Sequence, residues 1–245
     1  MKNLLALMLL SGILFSCKKK TEEETTPEET TTNPTTQKQF PDTAWTMTGT
    51  GPHLIFKFKF DSTQVRLDNL GNPSTIPSGH GACSPILNQM ASHYVELAQN
   101  DLTAFGAGKV LYHAPETTKG GTTAIDFVKS TVVREGVAFY AIPITPDLAG
   151  TYKWLRLSLS YQNYDIPYKA NAIPGNHIGT GTVASFVGYN TYVERYKIKD
   201  NVHVPSASVG GPTVNHLQGY WGFGTYIPGY GYYPADGQAP AGSTT

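Results

Sequence analysis

Over residues 53–60 apolar and polar side chains alternate, with Leu54, Phe56, Phe58 and Phe60 on one side and Lys57 and Lys59 on the other. A period of two with polar residues opposite predicts a half-buried strand. Residues 153–161 repeat it, with Leu155, Leu157, Leu159 and Tyr161 expected inward and Arg156, Ser158 and Ser160 outward. Shorter runs rich in β-branched and aromatic residues predict strands over 93–98, 109–113, 137–144, 182–188, 192–198 and 219–227. Clusters of Gly, Pro, Asn and Asp at 68–73, 119–121, 174–176 and 210–212 supply the turns between them. A helix is expected only around 85–90, and a short one. Trp221 and Phe223 share one face of their strand and are expected in the core. Many strands without alternating helices predict an all-β chain, an antiparallel β-sandwich of immunoglobulin/transthyretin-like type.

The first residues break this pattern. Lys2 precedes an apolar stretch from Leu4 to Phe15, interrupted only by Ser11 and Gly12. That is the layout of a signal peptide, and it is shorter than the about 20 apolar residues a membrane-spanning helix needs. Leu14-Phe15-Ser16-Cys17 resembles a bacterial lipoprotein lipobox. The resemblance implies cleavage before Cys17 and acylation of that cysteine, with more than one acyl chain for stable attachment to the membrane. Residues 18–39, beginning Lys18-Lys19-Lys20-Thr21-Glu22-Glu23-Glu24, offer nothing to bury and predict a disordered Thr/Glu/Pro/Lys tether. Charged residues directly after the cysteine resemble the surface-export signals of Bacteroidota lipoproteins. This implies an outer-membrane lipoprotein at the cell surface, with the periplasmic face of the outer membrane as the alternative. The expected layout is a signal peptide over 1–16, lipidated cysteine and tether over 17–39, a β-sandwich over 40–233, and a flexible tail over 234–245.

Composition narrows the function classes. Lys plus Arg and Asp plus Glu both number 18, giving a formal net charge of zero, and the cations are scattered. Nucleic acid is therefore not an expected partner. With 15% charged residues, 25 Gly, 17 Pro and 15 Tyr, the chain suits strands and turns. If Cys17 carries lipid, Cys83 has no partner within the chain, so a hydrophobic core and not disulfides must hold the domain.

The order of segments also carries a family likeness. Leu54–Phe60 is followed by a long loop and His93-Tyr94-Val95-Glu96-Leu97, then by Lys109-Val110-Leu111-Tyr112 and Ala124-Ile125-Asp126-Phe127. Phe139–Ile144 and Ala149-Gly150-Thr151-Tyr152-Lys153-Trp154-Leu155-Arg156 complete the series. This succession resembles the MbnP-like β-sandwich proteins, exported partners of copper-handling systems, over about half of the chain. The resemblance implies the sandwich fold and an association with copper. None of the family's copper-site residues can be placed on this sequence one by one.

Two constellations carry candidate chemistry. His80, His93 and His113 fall in one part of the chain, with Cys83 beside His80. A loop between Ala98 and Lys109 would set His93 and His113 on neighbouring strands. Imidazole and thiolate suit copper or zinc. Against this, no compact metal motif is present, and His93 is in phase with core-facing Val95 and Leu97. Cys83 has the alternative of a small buried hydrophobe. The second constellation is aromatic: Tyr164, Tyr230, Tyr232 and Tyr233 stand among polar residues, glycines and prolines. Rings with a polar handle suit a sugar or protein surface.

Catalytic signatures are absent from the sequence: it has no Gly-x-Ser-x-Gly elbow, His-Glu-x-x-His helix or phosphate-cradling loop. Glu96, Glu116, Asp126, Asp165 and Glu194 could form a carboxylate pair, and Glu116, beside Pro115, is the first to consider. The sequence thus points to a membrane-anchored lipoprotein with a non-catalytic domain that binds a glycan or a surface protein and needs no cofactor. The alternative is copper or zinc handling.

Overall fold

The computed structural model describes residues 49–239 apart from 69, 80, 120, 172–175 and 206–215. Cys17, the signal peptide, the tether and His80 therefore lie outside the described residues. In chain order the first strands are β1 (His53–Lys57), β2 (Ile86–Ala98), β3 (Lys109–His113), β4 (Glu116–Thr117) and β5 (Ala124–Asp126). Next come β6 (Ala138–Pro143), β7 (Trp154–Ala170), β8 (His177–Phe186), β9 (Thr191–Tyr192) and β10 (Tyr196–Ile198). The last are β11 (Asn201–His203), β12 (His216–Leu217), β13 (Tyr220–Ile227) and β14 (Gly231–Gln238). Short 3-10 turns at Phe127–Lys129 and Pro146–Leu148 are the sole helical elements among the described residues.

A six-stranded antiparallel sheet, ordered β14-β13-β8-β7-β2-β3, organises the domain. Strands β12-β9-β5-β4 form a smaller sheet, while β1 pairs with β6 and β10 with β11. The all-β, antiparallel expectation holds, with one parallel pair, β5 and β9. Tyr161, Ala184, Phe186 and Tyr220 on the large sheet pack with Phe127, Val193, Tyr196 and Ile198 in one core cluster. A second cluster joins Met90, Val95 and Leu111 to Phe58, Val133 and Phe139.

Tertiary packing overrides several local expectations. Residues 85–90 do not form a helix but begin β2, because Met90 exchanges both backbone hydrogen bonds with Val133 and pairs with Gln162 of β7. The segment over 192–198 divides between β9 and β10, which belong to different sheets. Leu155 and Leu157 are exposed, at 55% and 44%. The opposite face of β7 is the one covered there, by the 99–108 connection that binds Arg156. Trp221 and Phe223 likewise lie on the outer side of β13. The inner side is crowded: a side chain at Gly222 or Gly224 would strike Tyr196 or Tyr232. Residues 234–238 are not tail, since β14 pairs with β13 as far as Gln238. Pro234 is tolerated because β14 is an edge strand.

Candidate metal centre

His93 and His113 arrive on adjacent antiparallel strands. His113 closes β3 opposite Tyr94 of β2. In a regular ladder His93 and Tyr94 would point to opposite faces, separating His93 from His113. The β2–β7 pairing instead slips between Ser92 and Tyr94, leaving His93 as the extra residue of a bulge, and such bulges re-aim side chains. The His93 and His113 rings consequently stand 4.9 Å apart, edge to face. The His93 carbonyl accepts the Ala114 N–H at 2.7 Å, tying the bulge to the chain leaving β3.

Glu116 completes the cluster. It opens β4 opposite Ile125 of β5, and the Pro115 carbonyl accepts the Asp126 N–H at 2.8 Å. This anchoring presents the carboxylate to both rings, with Glu116 Oε1 3.4 Å from His93 Nε2 and 3.7 Å from His113 Nε2. One ligand atom from each residue lies within 4.8 Å of the other two. The Ala114 carbonyl accepts a hydrogen bond from His113 Nδ1 at 3.0 Å. That bond assigns the tautomer and leaves the Nε2 lone pair directed to the cluster.

His93 is buried beneath Tyr189, whose ring stacks on it at 4.5 Å and 11°. Tyr189 is set by the turn after β8, where Gly188 has a φ of +70°. A Cβ at Gly188 would meet the Leu159 carbonyl oxygen inside van der Waals contact. Gly188→Ala is therefore expected to cost about 2–4 kcal/mol, from left-handed backbone and overpacking together. Gly136→Ala, at φ +76° with open space around it, should cost only about 1–2 kcal/mol. Denaturant unfolding of the two variants makes the comparison.

Burial pushes the His93 pKa below its ordinary value of 6.5; the hydrogen bond to Glu116 opposes this and the nearby His113 adds to it. His93 thus stays neutral to lower pH than a free imidazole, its Nε2 hydrogen-bonded to Glu116. His113 is half exposed and Glu116 partly so, so one side of the cluster is open to solvent. Two imidazoles and a carboxylate form a three-ligand set able to hold zinc or copper with a coordination position left over.

Of the residues expected at a metal site, His93 and His113 come together. Cys83 stands exposed in the chain before β2 and outside this cluster, not as a buried hydrophobe. Glu116, which the sequence suggested as a carboxylate for catalysis, joins the two rings instead as a third group able to ligate. The available signal was the His113-x-x-Glu116 spacing around Pro115. Tyr189 carried no signal at all.

The four tyrosines do not form one surface. Tyr164 is half-buried on β7, two strands away from β13. Tyr230 and Tyr233 are exposed, at 70% and 58%. Tyr232 faces the other side of β14 from Tyr233, because neighbours in a strand alternate. Its hydroxyl bonds His203 Nε2 at 2.5 Å, and its cross-strand partner is Tyr226. No protein-family model, curated protein or solved structure matches this chain.

Proposed function

We propose that this chain is an exported lipoprotein, anchored through acylated Cys17, whose β domain binds a Cu(II) or Zn(II) ion at His93, His113 and Glu116. The observation that carries the reading is the convergence of two imidazole nitrogens on one carboxylate oxygen, at 3.4 and 3.7 Å. With metal–ligand bonds of about 2.0–2.1 Å, neighbouring ligands of a tetrahedral site lie about 3.3 Å apart. Small side-chain adjustments would therefore admit an ion between groups already facing each other. Imidazole favours zinc and copper over harder ions. The carboxylate offsets part of the ion's charge, and the open side leaves room for a fourth ligand and for exchange.

Calorimetric titration of the full chain in detergent tests this, with Cys83→Ser as background so that the exposed thiol does not report. One ion of Cu(II) or Zn(II) per chain, released by chelator, is the expected result. Non-saturating uptake would sink the proposal. The anchor has its own test: Cys17→Ser should move the protein from the membrane pellet to the soluble fraction and abolish the acyl mass increment on Cys17. A wild-type chain without that increment would refute the anchor while leaving the metal site standing.

A further inference from the structure

Two clefts lie side by side on the inner face of the large sheet, on either side of the turn between β10 and β11. The larger, about 590 Å³, is lined by Asn88, Gln89, Arg134, Asn163 and Lys197 among others, and lies within the usual size range of ligand sites. The smaller, about 220 Å³, is lined by Thr180, Asn201, Tyr226 and Tyr232 among others. Lys199 and Asp200 line both.

The dividing turn is held in a costly shape. Lys199 has a φ of +50°, a left-handed conformation that costs a residue other than glycine about 1–2 kcal/mol. The two-residue hairpin turn between paired Ile198 and Asn201 requires this positive φ. Here Lys199 Nζ pairs with Asp165 Oδ2 at 3.2 Å. Asp165 Oδ1 in turn accepts hydrogen bonds from Asn88 Nδ2 at 2.9 Å and Thr182 Oγ1 at 2.6 Å. A positioned ammonium thus stands at the junction of the two clefts.

The aromatic wall is also set in advance. Tyr226 is 66% exposed, yet its ring is fixed against Tyr232 at 5.2 Å and its hydroxyl accepts a hydrogen bond from Asn201 at 3.5 Å. Ring faces beside amides, hydroxyls and charges of both signs (Arg134, Glu135, Lys197, Lys199 and Asp200) match a ligand with apolar C–H faces and many hydroxyls. A deep apolar pocket would suit a hydrophobe, and a nest of backbone N–H groups a phosphate. Neither describes this lining. We infer that the paired clefts bind an oligosaccharide, one sugar ring resting on Tyr226 and the following units crossing Lys199 and Asp200 toward Asn88 and Gln89. This site uses none of the three metal ligands.

The test is calorimetry of the full chain in detergent and EDTA against hexaoses of β-1,4-glucose, β-1,3-glucose, β-1,4-xylose, β-1,4-mannose, α-1,4-glucose and β-1,4-N-acetylglucosamine. At least one should bind, and Tyr226→Ala should weaken it about two- to ten-fold, as expected for loss of a stacking ring. Lys199→Gly, which relaxes the turn while removing the ammonium, should weaken it too. His113→Ala should leave it unchanged. No binding of any hexaose at millimolar concentration, or binding indifferent to Tyr226→Ala in a variant that still melts like the parent, overturns the inference.

Discussion

Replacing His113 by alanine lowers the affinity for Cu(II) and Zn(II) by more than about 100-fold, exceeding the 10- to 100-fold typical of outer-shell losses. The side chain is 47% exposed, so its removal opens no core cavity and the variant folds like the parent. Glu116→Gln keeps the shape but removes the charge and should lie between the two. His93→Ala is the less clean variant, because its ring is buried under Tyr189. The pH dependence has a defined sign. The folded pKa of His93 lies below its ordinary value of 6.5, so the unfolded chain binds more protons as pH falls through that value. Stability therefore declines as pH drops below about 6.5, and metal affinity falls in acid as protons compete with the ion for its ligands. Titrations at several pH values, read beside denaturant melts, separate the two effects. An unchanged affinity in His113→Ala would remove the site.

Arg156→Met lowers stability by about 3 kcal/mol or more, the lower range for breaking a buried ion pair. Glu96 is fully buried in β2, and its Oε2 receives Arg156 Nη1 at 3.3 Å. The Gly108 and Gly106 N–H groups donate to the same carboxylate at 2.6 and 3.4 Å. Arg156 also donates to the Ala104 carbonyl at 3.1 Å and to that of Thr103, so it pins the whole β2–β3 connection. Burial on its own would raise the Glu96 pKa. The glycine N–H groups and Arg156 outweigh it and hold the carboxyl below its ordinary value of 4.5. Its contribution to stability is thus complete above 4.5 and is lost as pH falls through the folded value. In Arg156→Met, which keeps the apolar stem, this acid limb should move to higher pH. Thermal melts should fall by about 6–12 °C for a domain of this size. A melt within about 1 °C of the parent would show the pair to be idle.

Much of the strand inventory was legible because strand periodicity is a local property. The alternation of Leu54, Phe56 and Phe58 and the run at 109–113 mark β1 and β3 with no knowledge of their partners. The neighbourhood of His93 and His113 was legible for a related reason: the short connection from Ala98 to Lys109 favours an antiparallel hairpin. Cover was less legible than face. Leu155 and Leu157 share a side of the sheet with their cross-strand partners Leu97 and Val95, and Leu159 packs on the second core cluster there, yet the cover over Val95 does not extend over Leu155 and Leu157, which stay exposed.

What the sequence determined by itself is the all-β character, most strand positions, the polar composition of residues 18–39 and the apolar run that precedes Cys17, all of which rest on periodicity or contiguous composition. Only the tertiary structure decided the His93–His113–Glu116 cluster, the separation of the tyrosines and the pairing of Tyr226 with Tyr232. The cluster needs a bulge that turns His93 toward His113, a carboxylate held by a strand pairing with β5, and a glycine turn that lays Tyr189 over the ring. Each depends on which backbone hydrogen bonds form between segments distant in sequence, and a bulge, unlike a strand, has no period to betray it.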